Sequence, residues 1–64
     1  MIEFVELTDG EIWRVGDTYR SKKINQIYEL GDSNSIVLYD EHTNALVKYP
    51  VHVIERIVYY EVNE

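Results

Sequence analysis

An all-β fold of short antiparallel strands, packed as a small sandwich or barrel, is what this sequence predicts. Three observations carry it. Apolar and polar residues alternate in short runs such as Ile2-Glu3-Phe4-Val5-Glu6-Leu7, and turn-forming groups such as Asp9-Gly10, Gly31-Asp32-Ser33-Asn34 and Glu41-His42-Thr43-Asn44 separate the runs. Only one stretch, Val51 to Arg56, could be helical, and at that length a single 3₁₀ turn is expected rather than an α-helix.

The first strand spans Ile2 to Leu7. Asp9-Gly10 suits both centres of a type I′ turn, so Glu11 to Val15 returns antiparallel. That loop sets Leu7 opposite Ile12 and Glu6 opposite Trp13, with Leu7 and Ile12 together on the core face. Gly16-Asp17-Thr18 breaks the pattern, and Tyr19 to Lys23 reads as an exposed loop or irregular edge. A strand resumes over Ile24 to Leu30, with Ile24, Tyr28 and Leu30 on one face and Ile27 on the other. Ile36 to Asp40 and Ala45 to Tyr49 form a second hairpin. Pro50 has no N–H to give a ladder and ends that strand, and the last strand is Ile57 to Val62. The predicted core draws on Val5, Leu7, Ile12, Leu38, Val47, Val53 and Ile57.

Sixty-four residues make a single domain with a marginal core, in which a partner would help. The chain has no cysteine, so disulfides and thiolate metal sites are excluded. Hydrophobic content of 45% is too rich for a disordered acidic tail. Twelve acidic against six basic residues give a formal charge of -6, a field that repels nucleic acid and anionic membranes and attracts basic proteins. The apolar runs are too short to span a bilayer, and MIEFVEL lacks the basic start and long apolar segment of a secretory signal, so a cytoplasmic protein is expected.

The pattern Tyr49-Pro50-Val51-His52-Val53, followed by Ile54 and Ile57, resembles the 3₁₀ turn and closing strand of SH3-like small β-barrels. Val15-Gly16-Asp17 resembles the entry to that fold's second strand. With the hairpin at 36–49, the similarity covers about Glu11 to Tyr60. It implies a five-stranded antiparallel SH3-like barrel with one short 3₁₀ turn before the last strand, similar to the small stand-alone SH3-like proteins of bacteria and phages. Val53 stands where the peptide-binding members carry tyrosine, and Ile36-Val37 where they carry tryptophan. A polyproline groove needs those flat aromatic walls, so proline-rich ligands are not expected.

No cysteine, Gly-rich phosphate loop or GxSxG motif is present, and the serines at 21, 33 and 35 have no histidine near them in sequence, so an enzyme is not expected. His52 and Glu55 share a spacing that eclipses on a 3₁₀ turn, but two ligands do not hold zinc; no cofactor is expected. In a barrel of this kind the terminal strands are neighbours, which would gather Glu3, Glu6, Glu61 and Glu64 into an acidic patch. With Tyr59 and Tyr60 as apolar anchors, that patch would dock a protein with a basic surface, as an accessory or inhibitory factor mimicking phosphate charge. The alternative is a nucleic-acid contact through Trp13, Tyr19, Arg20, Lys22 and Lys23, because residues 14–23 carry +3 and the remainder -9. Apolar residues on both faces of the terminal strands, Phe4 against Val5 and Leu7, and Tyr59 against Val58, Tyr60 and Val62, predict a homodimer.

Overall fold

The structure is a computed structural model and describes residues 1–31 and 34–61. Asp32 and Ser33 of the predicted turn, and Val62 and Glu64 of the predicted C-terminal strand and patch, lie outside the described residues. Among the described residues eight strands follow one another: β1 (Ile2–Leu7), β2 (Ile12–Arg14), β3 (Thr18–Tyr19), β4 (Lys22–Lys23), β5 (Gln26–Leu30), β6 (Ser35–Asp40), β7 (Asn44–Pro50) and, after a 3₁₀ turn at Val51–Val53, β8 (Ile54–Tyr59). Every pairing is antiparallel. Backbone pairing among the described residues makes three sheets, ordered β2-β1-β8, β3-β4 and β5-β6-β7, and not the five-stranded closed barrel expected.

The core lies where these sheets face one another, in a cluster of Ile2, Val5, Ile24, Ile27, Ile36 and Leu38. Strict alternation along β1 would send Ile2 and Val5 to opposite faces. A bulge resolves this: Ile2 pairs with Tyr59 and Phe4 with Val58, so Glu3 is the extra residue and both Ile2 and Val5 point inward. The hairpin of β6 and β7 matches its expected bounds within a residue at each end. Along β6, Ile36 and Leu38 enter the core while Val37, equally buried, lies on the other face between Tyr28 and Lys48 of the flanking strands. The 3₁₀ turn is anchored at both ends, Val51 N–H donating to the Asn34 carbonyl (2.9 Å) and Thr8 N–H to that of Val53 (2.8 Å).

Four expectations change. The first hairpin has three loop residues, not two: Gly10 N–H donates to Leu7 O (2.9 Å) and Leu7 N–H to Glu11 O (2.7 Å), with positive φ at Gly10 (95°) but not at Asp9. This is a type I turn closed by a glycine bulge. The register therefore slips by one residue, setting Val5 opposite Trp13 and Glu6 opposite Ile12. Ile12 turns to solvent, 46% exposed, and leaves the predicted core. The type I′ geometry occurs instead at Arg20 and Ser21 (φ 49° and 69°), which join β3 and β4 into a short hairpin where an exposed loop or irregular edge was expected.

Ile24 and Ile27 both reach the core, because Ile24 and Asn25 lie between β4 and β5 and strict alternation does not run across that break. Ile24 is tied to the 15–17 segment, its N–H donating to Asp17 O and its carbonyl accepting from Gly16 N–H, while Asn25 N–H donates to Tyr39 O. The last strand begins at Ile54, three residues early; Val47 and Ile57 pack half-buried against the core, whereas Val53 falls in the 3₁₀ turn, half-buried but outside that cluster.

Asp40 is a buried carboxylate that accepts from the Thr43 backbone N–H (3.1 Å) and hydroxyl (2.6 Å), closing the turn between β6 and β7. The Thr43 hydroxyl is the main cause holding the Asp40 carboxyl below its ordinary value of 3.8. A carboxyl lowered on folding adds stability above its unfolded value, and that stability is lost as pH falls through the folded one. Thr43→Val is therefore expected to be less stable than wild type at neutral pH, with the difference closing as pH falls past the ordinary carboxyl value of 3.8 and through the lowered folded one. Urea denaturation of both proteins across that range checks it; a difference independent of pH would refute it.

Candidate protein-interaction surface

Pairing of β1 with β8 makes the terminal strands neighbours. It also brings arginines with them. Glu3 Oε2 lies 3.4 Å from Arg14 Nη1 and Glu6 Oε1 lies 3.1 Å from Arg56 Nε, so each acid of β1 is neutralised in place. The Arg14 guanidinium also sits over the Phe4 ring, 4.4 Å from its centroid. These partners are eleven and fifty residues away in sequence, so only strand register could reveal them. Glu6 lies with Phe4, Ile12 and Val58 on the β2-β1-β8 sheet, away from the end that carries Tyr60, whereas Glu3 follows the Ile2–Tyr59 pair at that end.

That end has a different character. Tyr59, 50% exposed, donates its hydroxyl to Glu29 Oε1 of β5 at 2.6 Å, and this bond is the main cause raising the phenol above its ordinary value. Tyr60, 43% exposed, is held by its N–H on Met1 O (3.0 Å) and lines a cavity of about 180 Å³ with Met1, Ile2, Val15, Asn25, Gln26 and Ile27. The cavity opens where β1 and β5 pack without pairing. Its volume is close to the roughly 150 Å³ that accepts a benzene ring. Glu61 follows, exposed and without an ion pair among the described residues. Tyr59, Tyr60 and Glu61 thus form one continuous exposed group, and Glu29 joins them although nothing in its local sequence marked it.

The residues of the nucleic-acid alternative also come together. Trp13 and Tyr19 meet edge to face, centroids 5.1 Å apart, both half-buried against the core. Arg20 lies 5.7 Å from the Tyr19 ring centroid, and Lys22 and Lys23 are exposed on β4. Tyr49 packs against the same core, its phenol raised by burial first and by neighbouring Tyr19 and acids second. The Trp13 indole N–H is buried without a hydrogen bond of good geometry, although the Tyr49 hydroxyl lies close enough to feel it. Packing covers part of each ring, so base stacking would have only the remaining surface.

His52 and Glu55 are exposed, and His42 sits 3.5 Å from Glu41 at the surface. No group of three or more potential metal-ligating side chains occurs among the described residues. No described helix is long and apolar enough to cross a membrane. Comparison of the chain with family models, curated proteins and solved structures found no match.

Proposed function

We propose that this chain is a small protein-interaction module, SH3-like in its strand arrangement, that binds a basic protein surface as an accessory or inhibitory factor. Three features support the SH3-like reading: β1 beside the last strand, the β5-β6-β7 meander, and a 3₁₀ turn leading into β8. The binding reading rests on one observation. Tyr59, Tyr60 and Glu61 are consecutive and exposed, and Tyr60 forms part of a cavity sized for a single ring or aliphatic side chain. Tyrosines supply desolvated anchoring area at low entropic cost, and the surrounding negative field speeds encounter with a cation-rich partner. Glu3 and Glu6 contribute to that field less than their number suggests, because Arg14 and Arg56 cancel them locally.

Tyr60→Ala is expected to weaken partner binding at least about tenfold through faster dissociation, and Glu61→Lys to slow association and flatten its salt dependence. Neither should shift the melting temperature by more than a few degrees. Surface-immobilised wild type and variants, tested against the partner retained by the wild type at two salt concentrations, read both effects. Unchanged kinetics in both variants would overturn the proposal.

A second reading is favoured by the gathering of Arg20, Lys22 and Lys23 on one exposed hairpin. Titration of single-stranded and duplex DNA and RNA at low salt decides it, since no binding there removes a nucleic-acid role.

A further inference from the structure

The outer face of the β2-β1-β8 sheet is built of two rows. Arg14, Phe4 and Val58 lie side by side across the three strands, and Ile12, Glu6 and Arg56 form the next row. Three features set this face apart. Its apolar members are incompletely covered: Ile12 is 46% exposed, and Phe4 and Val58 are half-buried. Ile12 is there because the three-residue loop turned it outward, which a lone domain gains nothing from.

Charge is the second feature. In a chain of net -6, this face carries two acids and two arginines in matched pairs, Glu3 with Arg14 and Glu6 with Arg56, and Glu55, bulged beside Arg56, is the one charge next to them without an ion pair among the described residues. Two copies of the chain repel through most of their surface, yet here both arginines of each copy sit among the acids, and an acid of one copy can exchange onto an arginine of the other. The third feature is contrast with the other outer sheet face. There Val37 is flanked by Tyr28 and Lys48, and no described acid pairs with Lys48. Packing two copies on that face would set two unmatched cations together.

We infer that the outer face of the β2-β1-β8 sheet is the surface on which two copies of this chain pack, about a two-fold axis, with Phe4, Ile12 and Val58 at the centre and the Glu–Arg pairs around them. A two-fold axis makes the contact isologous, so the Glu–Arg pairs of one copy lie across from those of the other. Three short strands offer less than a standard interface, which places the dimer among weak, concentration-dependent ones.

Sedimentation velocity from about 10 μM to about 1 mM tests this, a range that brackets association by a sub-standard interface. The wild type is expected to shift from monomer to dimer across it. Ile12→Lys and Val58→Glu should each weaken association about tenfold or more while keeping the wild-type circular dichroism, since burial of one aliphatic side chain is worth that much. Glu6→Arg should weaken it too, and adding Arg56→Glu should restore it. Tyr60→Ala, on the surface proposed for the basic partner, should leave the dimer intact, so failure of one proposal does not carry the other. A wild type that stays monomeric at about 1 mM, or a dimer indifferent to Ile12→Lys and Val58→Glu together, would overturn the inference.

Discussion

Ile24→Ala is expected to leave the chain largely unfolded at 25 °C. Ile24 is fully buried in the central cluster, among Ile2, Val5, Ile27, Ile36 and Leu38. Removing the outer carbons of a buried isoleucine costs about 2–5 kcal/mol, whereas a core of this size supplies about 3–5 kcal/mol in all. Its backbone also ties the 15–17 segment to the start of β5, through bonds of 2.8 Å from Ile24 N–H to Asp17 O and from Gly16 N–H to Ile24 O. Collapse of the cavity would loosen both. Ile12→Ala serves as the contrast, because Ile12 is 46% exposed. Its cost should stay near about 0.5 kcal/mol in the monomer, as at ordinary surface positions. Urea denaturation at low protein concentration measures both; equal midpoints for Ile24→Ala and wild type would contradict the assignment of the core.

Trp13→Ala is expected to cost about 3 kcal/mol, and so to remove the fold before it removes any one contact. The indole packs on the core with Tyr19, 5.1 Å away edge to face, and Tyr49 lies beside it. Trp13→Phe retains a ring against Tyr19 and removes the buried unbonded N–H, so it should recover part of the loss. Lys22→Ala and Lys23→Ala should change stability by less than about 0.5 kcal/mol, since both are exposed and neither forms an ion pair among the described residues. Thermal unfolding followed by circular dichroism ranks the four variants. If Trp13→Ala melted with wild type while losing nucleic-acid binding, the ring would be a stacking platform and not part of the core.

The legible parts of this fold are those whose cause is local. β-Branched and aromatic residues fill Ile36 to Tyr49 and a polar quartet interrupts it, so the hairpin stands nearly as expected. Pro50 stops β7 because it has no N–H, and the residues after it have room only for a 3₁₀ turn. The acidic surplus and the absence of thiols are equally plain in the sequence. Local signals failed where two conformations fitted the same residues. Thr8-Asp9-Gly10 satisfies a glycine bulge as readily as Asp9-Gly10 satisfies type I′, and Arg20-Ser21 adopts type I′ without any glycine.

Those one-residue choices then propagated, because a strand repeats every two residues and a slip of one exchanges its faces. The slip moved Ile12 from core to solvent, and the bulge at Glu3 brought Ile2 inward beside Val5. Partners were beyond local reach altogether. Glu3 meets Arg14 and Glu6 meets Arg56 only because β2, β1 and β8 come into one register, and Tyr59 meets Glu29 only because that sheet packs beside β5. The sequence by itself thus determined the class of fold, the places where strands stop and the sign of the field. Tertiary structure decided which acids that field still contains and which apolar side chains face water, because both depend on the register of pairing between distant strands and no residue carries that register alone.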